Sequence, residues 1–382
     1  MVLQTSWLEV DLGRLDNNLR LFRRVVGDGV KICGVIKADA YSLGAVPLAN
    51  RLENGGIDSL AVYSPAQAAE IYNAGLKTPL IILLPVRQPA EVEGLEPAFK
   101  SGQCHLTIHD EDQLLAVDKL ARTLECQMPV HLYLDTGMSR AGLNPEQFAR
   151  VLSFDQLNQR IRVAGVYTHF TSSDDDPEFT NHQMDLFRKV LEHCKRLLPA
   201  DVLIHASNTC ATLRGRAFHQ SMVRIGLGLY GYGPQFMTDP AEHIDLQPIV
   251  RWLSRVVHVQ QYPQGTTVGY NRTYCLSRDS LLGVVPAGYG DGYPLALSGR
   301  GSVELGLESS RGRTVPILGK VNMDQIVIDL TDCPVPVGTV VRVINWDNTS
   351  ACALHHLAGQ AESTCYEMLC RLPPRLHRTY LP

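Results

Sequence analysis

The amino-acid sequence predicts a (β/α)₈ barrel, also called a TIM barrel, followed by a smaller domain built mainly of antiparallel strands. Two observations carry this prediction. In the first 235 residues, eight short apolar runs alternate with amphipathic segments, which is typical of a parallel sheet covered by helices. From about residue 245, alternating strands follow one another with turns and without long helices between them. We therefore predict domains at 1–240 and 241–382, with the boundary in the proline-rich stretch 233–248.

Each predicted barrel strand is a short apolar run. These runs lie at 31–37, 57–63, 78–85, 103–108, 129–135, 162–170, 201–206 and 222–230. Segments with apolar residues at helical spacing separate several of them, at 45–53, 65–74, 110–123, 145–154 and 181–198. Eight such units within about 250 residues match the size of a TIM barrel. The strands of the second domain are predicted at 250–262, 280–289, 313–321, 324–332 and 339–344.

Composition narrows the class of protein. The chain has 382 residues and a formal net charge of −4, which gives no electrostatic footprint for nucleic acid or an anionic membrane. The N-terminus lacks the pattern of a signal peptide, and the apolar run 80–85 is too short to span a bilayer. The ten cysteines form neither a Cys-x-x-Cys pair nor a zinc-ligand cluster with histidine. We expect a reduced, cytoplasmic protein that binds no metal.

Polar residues follow several barrel strands at their carboxyl ends, where TIM barrels build their sites. Lys37 closes the first predicted strand, Asp135 the fifth and His169 the sixth. The others are Ser207–Thr209 after the seventh strand, and Arg224 and Gly226 on the eighth. Glycine in such turns lets backbone N–H groups approach a phosphate. These residue types at one rim predict an enzyme that binds an anionic small molecule.

Three of these features also have structural interpretations. Lys37 can extend its ammonium group to water from the end of an apolar strand, or its amine can be partly desolvated and form a Schiff base. His169, taken alone, fits a hydrogen-bonded core histidine. The run Asp174–Asp176 is interpreted as a solvated acidic loop and helix N-terminus rather than a metal site. Composition and spacing therefore do not name the reaction.

A family resemblance adds what spacing leaves open. The segment VIKADAY, which contains Lys37, resembles the lysine motif of alanine racemases, enzymes that use pyridoxal 5′-phosphate (PLP). The similarity continues in order through DTGMSRAG, YTHF, ASNTCATL, VRIGLGLYG, VGYNRTY, GYGDGYP, GKVNMDQ and CYEMLCRLPPR. It spans nearly the whole chain. It implies a homodimer with a barrel domain and a C-terminal β domain, which interconverts L- and D-alanine and supplies D-alanine for peptidoglycan.

The resemblance also implies roles for single residues. Lys37 resembles the lysine that holds PLP as a Schiff base and acts on one face of the substrate, and Tyr270 the tyrosine that acts on the opposite face. Tyr270 would come from the partner subunit. Arg224 resembles the arginine that bonds the pyridine nitrogen, and His169 the histidine that links Tyr270 to Arg224, so that this pair brings positive charge to the tyrosine. The remaining predicted site residues are Tyr41, Asn208, Thr209, Gly226, Leu227 and Tyr366 for the cofactor, Arg140 and the partner-contributed Met323 for the substrate, and Tyr289 for the entrance.

Racemisation explains why two bases are expected. The Cα proton must leave from one face and return from the other, and one base does not easily reach both faces. PLP supplies the electron sink. An arginine on the pyridine nitrogen keeps that nitrogen unprotonated because arginine does not give up its own proton. The resulting weaker sink favours racemisation over side reactions.

The sequence departs from the family pattern at three positions. Tyr133 stands where the family usually has a lysine, often carbamylated, that orients the arginine corresponding to Arg140. Arg140 must therefore be positioned by another group, either the phenol hydroxyl of Tyr133 or a bound anion. Leu43 replaces a histidine, and Leu295 replaces an arginine after GYGDGYP.

Three other functions are alternatives to alanine racemisation. A racemase of the same fold with serine or a broader set of substrates is the nearest alternative, although the bulky phenol of Tyr366 would crowd a larger side chain. Decarboxylases of basic amino acids share the architecture, but their glycine-rich phosphate loop and cysteine-containing motif are missing here. Non-catalytic PLP-binding barrel proteins usually lack the β domain.

Overall fold

The computed structural model describes residues 4–153, 160–234, 244–306 and 312–382. The chain divides into two units. The barrel unit comprises Asp16–Ala40 and Ala45–Leu246, and the β unit comprises the chain through Leu15, Tyr41–Gly44 and Gln247–Pro382. Most of the predicted boundary stretch 233–248 lies outside the described residues, because 235–243 are not described.

The barrel unit is a closed ring of eight parallel strands, each paired with its neighbour in chain order and the last paired with the first. The strands are β2 (Lys31–Val35), β3 (Ser59–Val62), β4 (Leu80–Ile82), β5 (Cys104–Ile108), β6 (Met128–Tyr133), β7 (Ile161–Tyr167), β8 (Leu203–His205) and β9 (Met222–Ile225). All eight predicted strands are confirmed. β5 ends at Ile108 as predicted, and the other seven strands end one to five residues earlier than predicted, so Lys37, Asp135 and His169 follow their strands and do not close them.

Helices connect these strands and begin where the sequence supplies caps. Ser64, Asp110, Asn144 and Asp176 each accept a hydrogen bond from the backbone N–H three residues later, and proline follows three of them at the first helical position. Asp176 therefore caps a helix, as the interpretation of the acidic run predicts. The helices are α1 (Leu12–Val26), α2 (Lys37–Ser42), α3 (Ala45–Asn54), α4 (Pro65–Asn73), α5 (Glu96–Lys100), α6 (Glu111–Leu124), α7 (Pro145–Leu152), α8 (Pro177–His193) and α9 (Thr209–Arg214).

The barrel interior has two chemically different parts. One is a buried apolar cluster of Cys33, Ala61, Ile81 and Met222. The other is aromatic and polar, with side chains from β5 to β8: His105, His131, Tyr133, Tyr167 and His205. Tyr133 and Tyr167 stack with ring centroids 4.6 Å apart, and Tyr167 stacks on His205 at 5.0 Å. Buried polar groups are tolerated only when they are hydrogen-bonded, so this part of the interior needs an internal network.

The strands of the β unit are β1 (Ser6–Asp11), β10 (Val250–Arg255), β11 (His258–Tyr262), β12 (Thr267–Val268), β13 (Tyr274–Cys275), β14 (Ser280–Val285), β15 (Ser302–Leu305), β16 (Arg313–Leu318), β17 (Ile326–Asp329), β18 (Val340–Ile344) and β19 (His377–Leu381). They form a nine-stranded sheet in the order β11-β14-β17-β16-β15-β18-β10-β1-β19 and a two-stranded sheet of β12 and β13. Two short helices, α10 (Leu354–Gln360) and α11 (Cys365–Cys370), precede β19.

The first strand lies in this sheet, whereas the sequence pattern predicts that residues 1–240 belong to the barrel domain. β1 pairs with β10 in the antiparallel sense and with β19 in the parallel sense. Its alternation buries Leu8 and Val10 completely, and each such burial contributes about 1.5–3 kcal/mol. Period-two alternation is the pattern of a strand in a mixed or antiparallel sheet, and this is the physical reason for the difference.

The described ranges contain neither a membrane-spanning helix nor a cluster of metal ligands. In these ranges no helix is both long and apolar enough to cross a bilayer. The same residues contain no group of three or more His, Cys, Asp or Glu side chains arranged to hold a metal ion. All ten cysteines are free thiols.

Candidate active site

Lys37 begins an unusual left-handed segment directly after β2. The five residues Ala38–Ser42 have φ angles from 50° to 63°, although none is glycine. Left-handed backbone costs about 1–2 kcal/mol for each such residue. Within the barrel unit, the Asp39 carboxylate accepts a hydrogen bond from the Ala45 N–H at 2.6 Å. Backbone strain of this kind is concentrated at functional sites.

The β unit holds the other end of this segment. The guanidinium of Arg378 donates to the Ser42 carbonyl at 2.8 Å, and the Tyr380 hydroxyl donates to the Leu43 carbonyl at 3.0 Å. A Cβ on Gly44, whose φ is 97°, would lie 1.9 Å from that hydroxyl, so only glycine fits there. The C-terminal strand thus fixes the residues that follow the lysine motif.

Arg224 lies at the same end of the barrel and is buried. Its Nη2 donates to the carbonyl oxygens of Thr168 at 2.8 Å and Ala206 at 3.0 Å, and to Nδ1 of His169 at 3.2 Å. Its Nη1 donates to Nδ1 of His205 at 2.9 Å. Among the described residues, the groups whose charges act on this guanidinium are Tyr167, Cys33 and Tyr133 and include no carboxylate, so its positive charge is not neutralised by an ion pair.

His169 is neutral in the folded protein. Burial, followed by the charges of Arg224, Arg140 and Lys37, lowers its pKa to about 3. All three cations therefore lie near enough to the imidazole to oppose its protonation. Because Arg224 can only donate, Nδ1 accepts and Nε2 carries the proton. The expected positive charge of the Arg224–His169 pair therefore resides on the arginine alone, since a second charge cannot be solvated at this depth.

Two predicted cofactor residues, Asn208 and Thr209, meet at the start of α9. The side-chain oxygen of Asn208 caps the helix by accepting the Ala211 N–H at 3.0 Å, and it also accepts the Ser173 hydroxyl at 2.9 Å. The Thr209 hydroxyl accepts the Gly228 N–H at 3.3 Å. Thr209 thus lies against the turn Gly226–Leu229 that follows β9, which places these predicted ligands beside one another.

Two further predicted cofactor residues meet within the β unit. The rings of Tyr41 and Tyr366 lie 5.8 Å apart at an interplanar angle of 42°. Tyr41 is buried, and burial raises the pKa of its phenol above the ordinary value, so it acts as a neutral donor. Tyr366 is about half exposed.

The loop that carries Arg140 is organised by Asp135. One carboxylate oxygen accepts the N–H groups of Gly137 at 2.9 Å, Met138 at 2.8 Å and Ser139 at 3.2 Å. The loop returns to β6 through the Leu143 N–H, which donates to the Tyr133 carbonyl at 2.8 Å. These bonds fix the position from which the exposed Arg140 side chain extends.

Tyr133 lies below this loop, stacked on Tyr167. Its hydroxyl is buried and makes no hydrogen bond of standard geometry among the described residues, although the Arg140 side chain lies close enough to interact with it. Burial raises the pKa of the phenol, whereas the nearby charge of Arg140 lowers it. Tyr133 thus packs below the Arg140 loop, while the hydrogen bonds that shape the loop come from Asp135.

Tyr270, Met323 and Tyr289 are exposed on the β unit. They are 69%, 55% and 46% exposed, respectively. The Tyr289 N–H donates to the Asn322 carbonyl at 3.0 Å, so Tyr289 and Met323 lie on adjacent backbone segments. Tyr289 also lines a cavity of about 380 Å³ with Gly292, Tyr293, Pro294, Leu295 and Arg371.

Comparison with known proteins gives one family for both units. Residues 10–234 match the model of the alanine racemase N-terminal domain, and residues 249–380 match that of the C-terminal domain. The chain belongs to the alanine racemase family. Alanine racemase of Halothermothrix orenii is 35% identical over 381 residues, covering 99% of this chain and 97% of the relative. Alanine racemase of Synechocystis is 32% identical over 380 residues, covering 99% of each.

Solved structures of the family have the same fold. An alanine racemase from Clostridium difficile superposes with a TM-score of 0.89 at 26% identity and covers 100% of this chain and 97% of its own. The enzyme from E. faecalis superposes with a TM-score of 0.87 at 29% identity, covering 99% and 98%. Both architectural predictions, the closed barrel and the β-rich second domain, are confirmed.

Sequence reasoning missed the roles of two residues that shape the candidate site. Gln183 on α8 donates to the His169 carbonyl at 3.3 Å and accepts the Thr171 N–H at 3.0 Å, so it pins the loop after β7. Gln183 could have been recognised as a polar residue at a buried position of an amphipathic helix. The organising role of Asp135 was also missed, although a carboxylate followed by Thr-Gly after a strand is a typical turn signal.

We expect substitution of Asp135 to weaken substrate binding more than turnover. In Asp135→Ala, three loop N–H groups lose their acceptor, so Arg140 loses its fixed position. The KM for alanine should rise about tenfold, equivalent to the loss of one net hydrogen bond to a charged group, while kcat changes less. Steady-state kinetics would measure this. Asp135→Asn keeps one acceptor oxygen and should show a smaller rise, and a drop in kcat at unchanged KM would contradict this role.

The buried histidines predict a loss of stability in mild acid. Burial lowers the pKa of His105 to about 4 and that of His169 to about 3, and it lowers the pKa values of His131 and His205. Below about pH 6.5 the unfolded chain binds protons that the folded barrel excludes, so the free energy of unfolding falls as the pH drops. Each histidine contributes up to about 1.4 kcal/mol per pH unit.

Denaturant unfolding between pH 6.5 and pH 5 would measure this effect, because the carboxylates remain ionised over that range. We expect the free energy of unfolding of His105→Gln to depend less on pH than that of the wild type. The variant should take up as much as one proton fewer on unfolding. Stability that stays level down to pH 5 would show that these imidazoles are protonated in the folded state.

Proposed function

We propose that this protein interconverts L- and D-alanine with PLP bound to Lys37, and that the D-alanine it makes serves peptidoglycan. The observation that supports this most strongly is the Arg224 guanidinium bonded to His169, whose pKa the charge of Lys37 also lowers; this guanidinium is a buried cation whose described neighbours include no carboxylate. A donor-only group fits an unprotonated pyridine nitrogen, which is an acceptor. Bound PLP supplies the electron sink that makes the Cα proton of the amino acid removable.

Two groups of residues would hold PLP. Arg224 would donate to the pyridine nitrogen and, because arginine keeps its proton, would hold that nitrogen unprotonated. The phosphate would be bound by hydroxyl and backbone N–H donors, which are suited to an anion. The proposed phosphate donors of the barrel unit are Thr209, Gly226 and Leu227, with Asn208 fixing the start of α9 beside Thr209. Those of the β unit are Tyr41 and Tyr366.

Proton transfer requires one group on each face of the substrate. Lys37 would hold or release a proton at Nζ on one face, and the hydroxyl of Tyr270 would do so on the other. His169 carries its proton on Nε2 and can donate from it, so it would orient the tyrosine oxygen while its Nδ1 remains bound to Arg224. Arg140 and the Met323 backbone would hold the substrate carboxylate.

The exposure of Tyr270 supports a shared site. A tyrosine that is 69% exposed in one chain is not positioned by its own packing. A second copy of the chain, forming a homodimer, would cover Tyr270, Met323 and the neighbouring Tyr289, and would bring Tyr270 to the Lys37 of its partner. Tyr289 would then line the entrance to that site.

Turnover of L-alanine and L-serine by the purified protein with added PLP tests this function. We expect alanine to be racemised faster, because the Tyr366 phenol restricts the space for a larger side chain. Faster serine turnover would assign the broader racemase function instead. A protein that binds PLP without turning over either amino acid would contradict a racemase function and would favour a binding role.

A further inference from the structure

Three histidines form a continuous hydrogen-bonded file inside the barrel, which we call the histidine relay: His105 on β5, His131 on β6 and His205 on β8. His205 Nε2 lies 2.9 Å from His131 Nδ1, and His131 Nε2 lies 3.0 Å from His105 Nδ1. At one end Arg224 Nη1 lies 2.9 Å from His205 Nδ1, and at the other His105 Nε2 lies 3.1 Å from the Gly102 carbonyl oxygen. The histidine relay therefore connects the candidate site to the opposite end of the barrel.

The two ends fix the direction of every hydrogen bond. A guanidinium has only donors, so His205 must accept at Nδ1 and carry its proton on Nε2. That proton is donated to His131, which then carries its own proton on Nε2 and donates to His105. His105 in turn donates from Nε2 to a carbonyl that can only accept. One proton per ring satisfies all four bonds, and a second proton on any ring would place two donors against each other.

The strand next to His131 leaves room for the histidine relay. Gly165 on β7 pairs with His131, and a Cβ built on it would lie 2.2 Å from His131 Nδ1. Even alanine at this position would push the ring away. Both His131 and His205 are fully buried, whereas His105 is partly buried near a cavity of about 430 Å³ that Gly102 lines. A glycine that leaves room for one imidazole is an observation independent of the hydrogen bonds.

The relay leaves the charge of Arg224 intact. A carboxylate in the place of His205 would orient the guanidinium equally well but would cancel its field at the site. Neutral imidazole rings and backbone carbonyls orient the guanidinium and leave its electric field at the site uncancelled. Burial of a cation among neutral acceptors is unfavourable unless they are well aligned, and each link of the relay aligns the next.

We propose that His131 and His105 are positioning residues for Arg224, acting through His205 to hold its guanidinium oriented, charged and without a counter-ion toward the cofactor nitrogen. Neither histidine reaches the cofactor. The role of Arg224 toward the cofactor rests on the proposed function. The positions of the protons in the histidine relay do not depend on that function.

Neutron diffraction from a deuterium-exchanged crystal tests the pattern directly, whether or not the protein racemises alanine. We expect a deuteron on Nε2 and none on Nδ1 of His105, His131 and His205. A doubly protonated ring, or a deuteron on Nδ1 of any of the three, would overturn the relay. Absence of alanine turnover with this pattern present would instead count against the proposed function.

Variants test the link to Arg224. His131→Leu and Gly165→Ala both break the relay, one by removing the ring and the other by displacing it. Each should shift the visible absorption band of bound PLP and lower kcat about tenfold or more, with the KM for alanine nearly unchanged because Arg140 is untouched. His131→Gln keeps an acceptor and a donor and should restore most of kcat. Lower stability with an unchanged spectrum and kcat would show that His131 only fills space.

Discussion

Replacement of Lys37 by alanine is expected to lower alanine racemisation in both directions by at least about 10⁴-fold. Lys37 has two proposed tasks, holding the cofactor covalently and transferring a proton on one face, and loss of a positioned base alone removes about 10²–10⁴-fold. Turnover of L- and D-alanine, measured separately, would test this. The variant should also lose PLP on gel filtration, because the covalent attachment is gone.

Lys31→Ala is the matched control for this variant. Lys31 is an exposed lysine at the first position of β2, the strand that leads to Lys37. Its removal should leave turnover and PLP content unchanged. Racemisation by Lys37→Ala at a rate near that of the wild type would mean that another residue carries both tasks.

The second large effect is expected for Tyr270→Phe. Removal of the hydroxyl leaves one face without a proton donor or acceptor, so racemisation should fall by about 10²–10⁴-fold in both directions. Lys37 would still work on its own face. We therefore expect the Cα hydrogen of one alanine enantiomer to keep exchanging with deuterated water, while exchange of the other is lost.

Tyr274→Phe provides the comparison, because Tyr274 is a partly exposed tyrosine four residues later on β13. It should retain both racemisation and exchange. If Tyr270→Phe lost the exchange of both enantiomers equally, Tyr270 would serve binding or folding rather than one face of the substrate.

The barrel strands could be predicted because most of their residues are buried. Strands such as Cys104–Ile108 and Met128–Tyr133 are nearly continuous apolar runs, and helices with clear caps separate several of them. The location of β1 could not be predicted in the same way. Its partners β10 and β19 lie more than 230 residues away in the chain, and pattern alone does not show which sheet an alternating strand joins.

The left-handed segment after Lys37 also has no local signal. Ala38–Ser42 contains no glycine, and left-handed backbone for such residues is held by contacts from elsewhere, including Arg378 near the C-terminus. Sequence reading favours local conformational preferences, and here long-range contacts override them.

The sequence contains one indication of the histidine relay. His105, His131 and His205 are polar residues in mostly apolar strands, and a polar residue in a buried strand needs a partner. Which partners meet depends on strand register and barrel closure, which the sequence does not provide. Lys37, His169 and Arg224 could be predicted more readily because all three follow or end strands at the rim where sites are built.

The most direct test of the shared two-base site is complementation between subunits. Lys37→Ala and Tyr270→Phe chains carrying different affinity tags would be co-expressed, and the hybrid dimers isolated through both tags. If Lys37 of one chain works with Tyr270 of the other, each hybrid contains one intact site and one site lacking both groups. We predict about half of the wild-type turnover per dimer, against almost none for either parent variant. Hybrids as inactive as the parents would contradict the account, because Lys37 and Tyr270 would then have to act within the same chain.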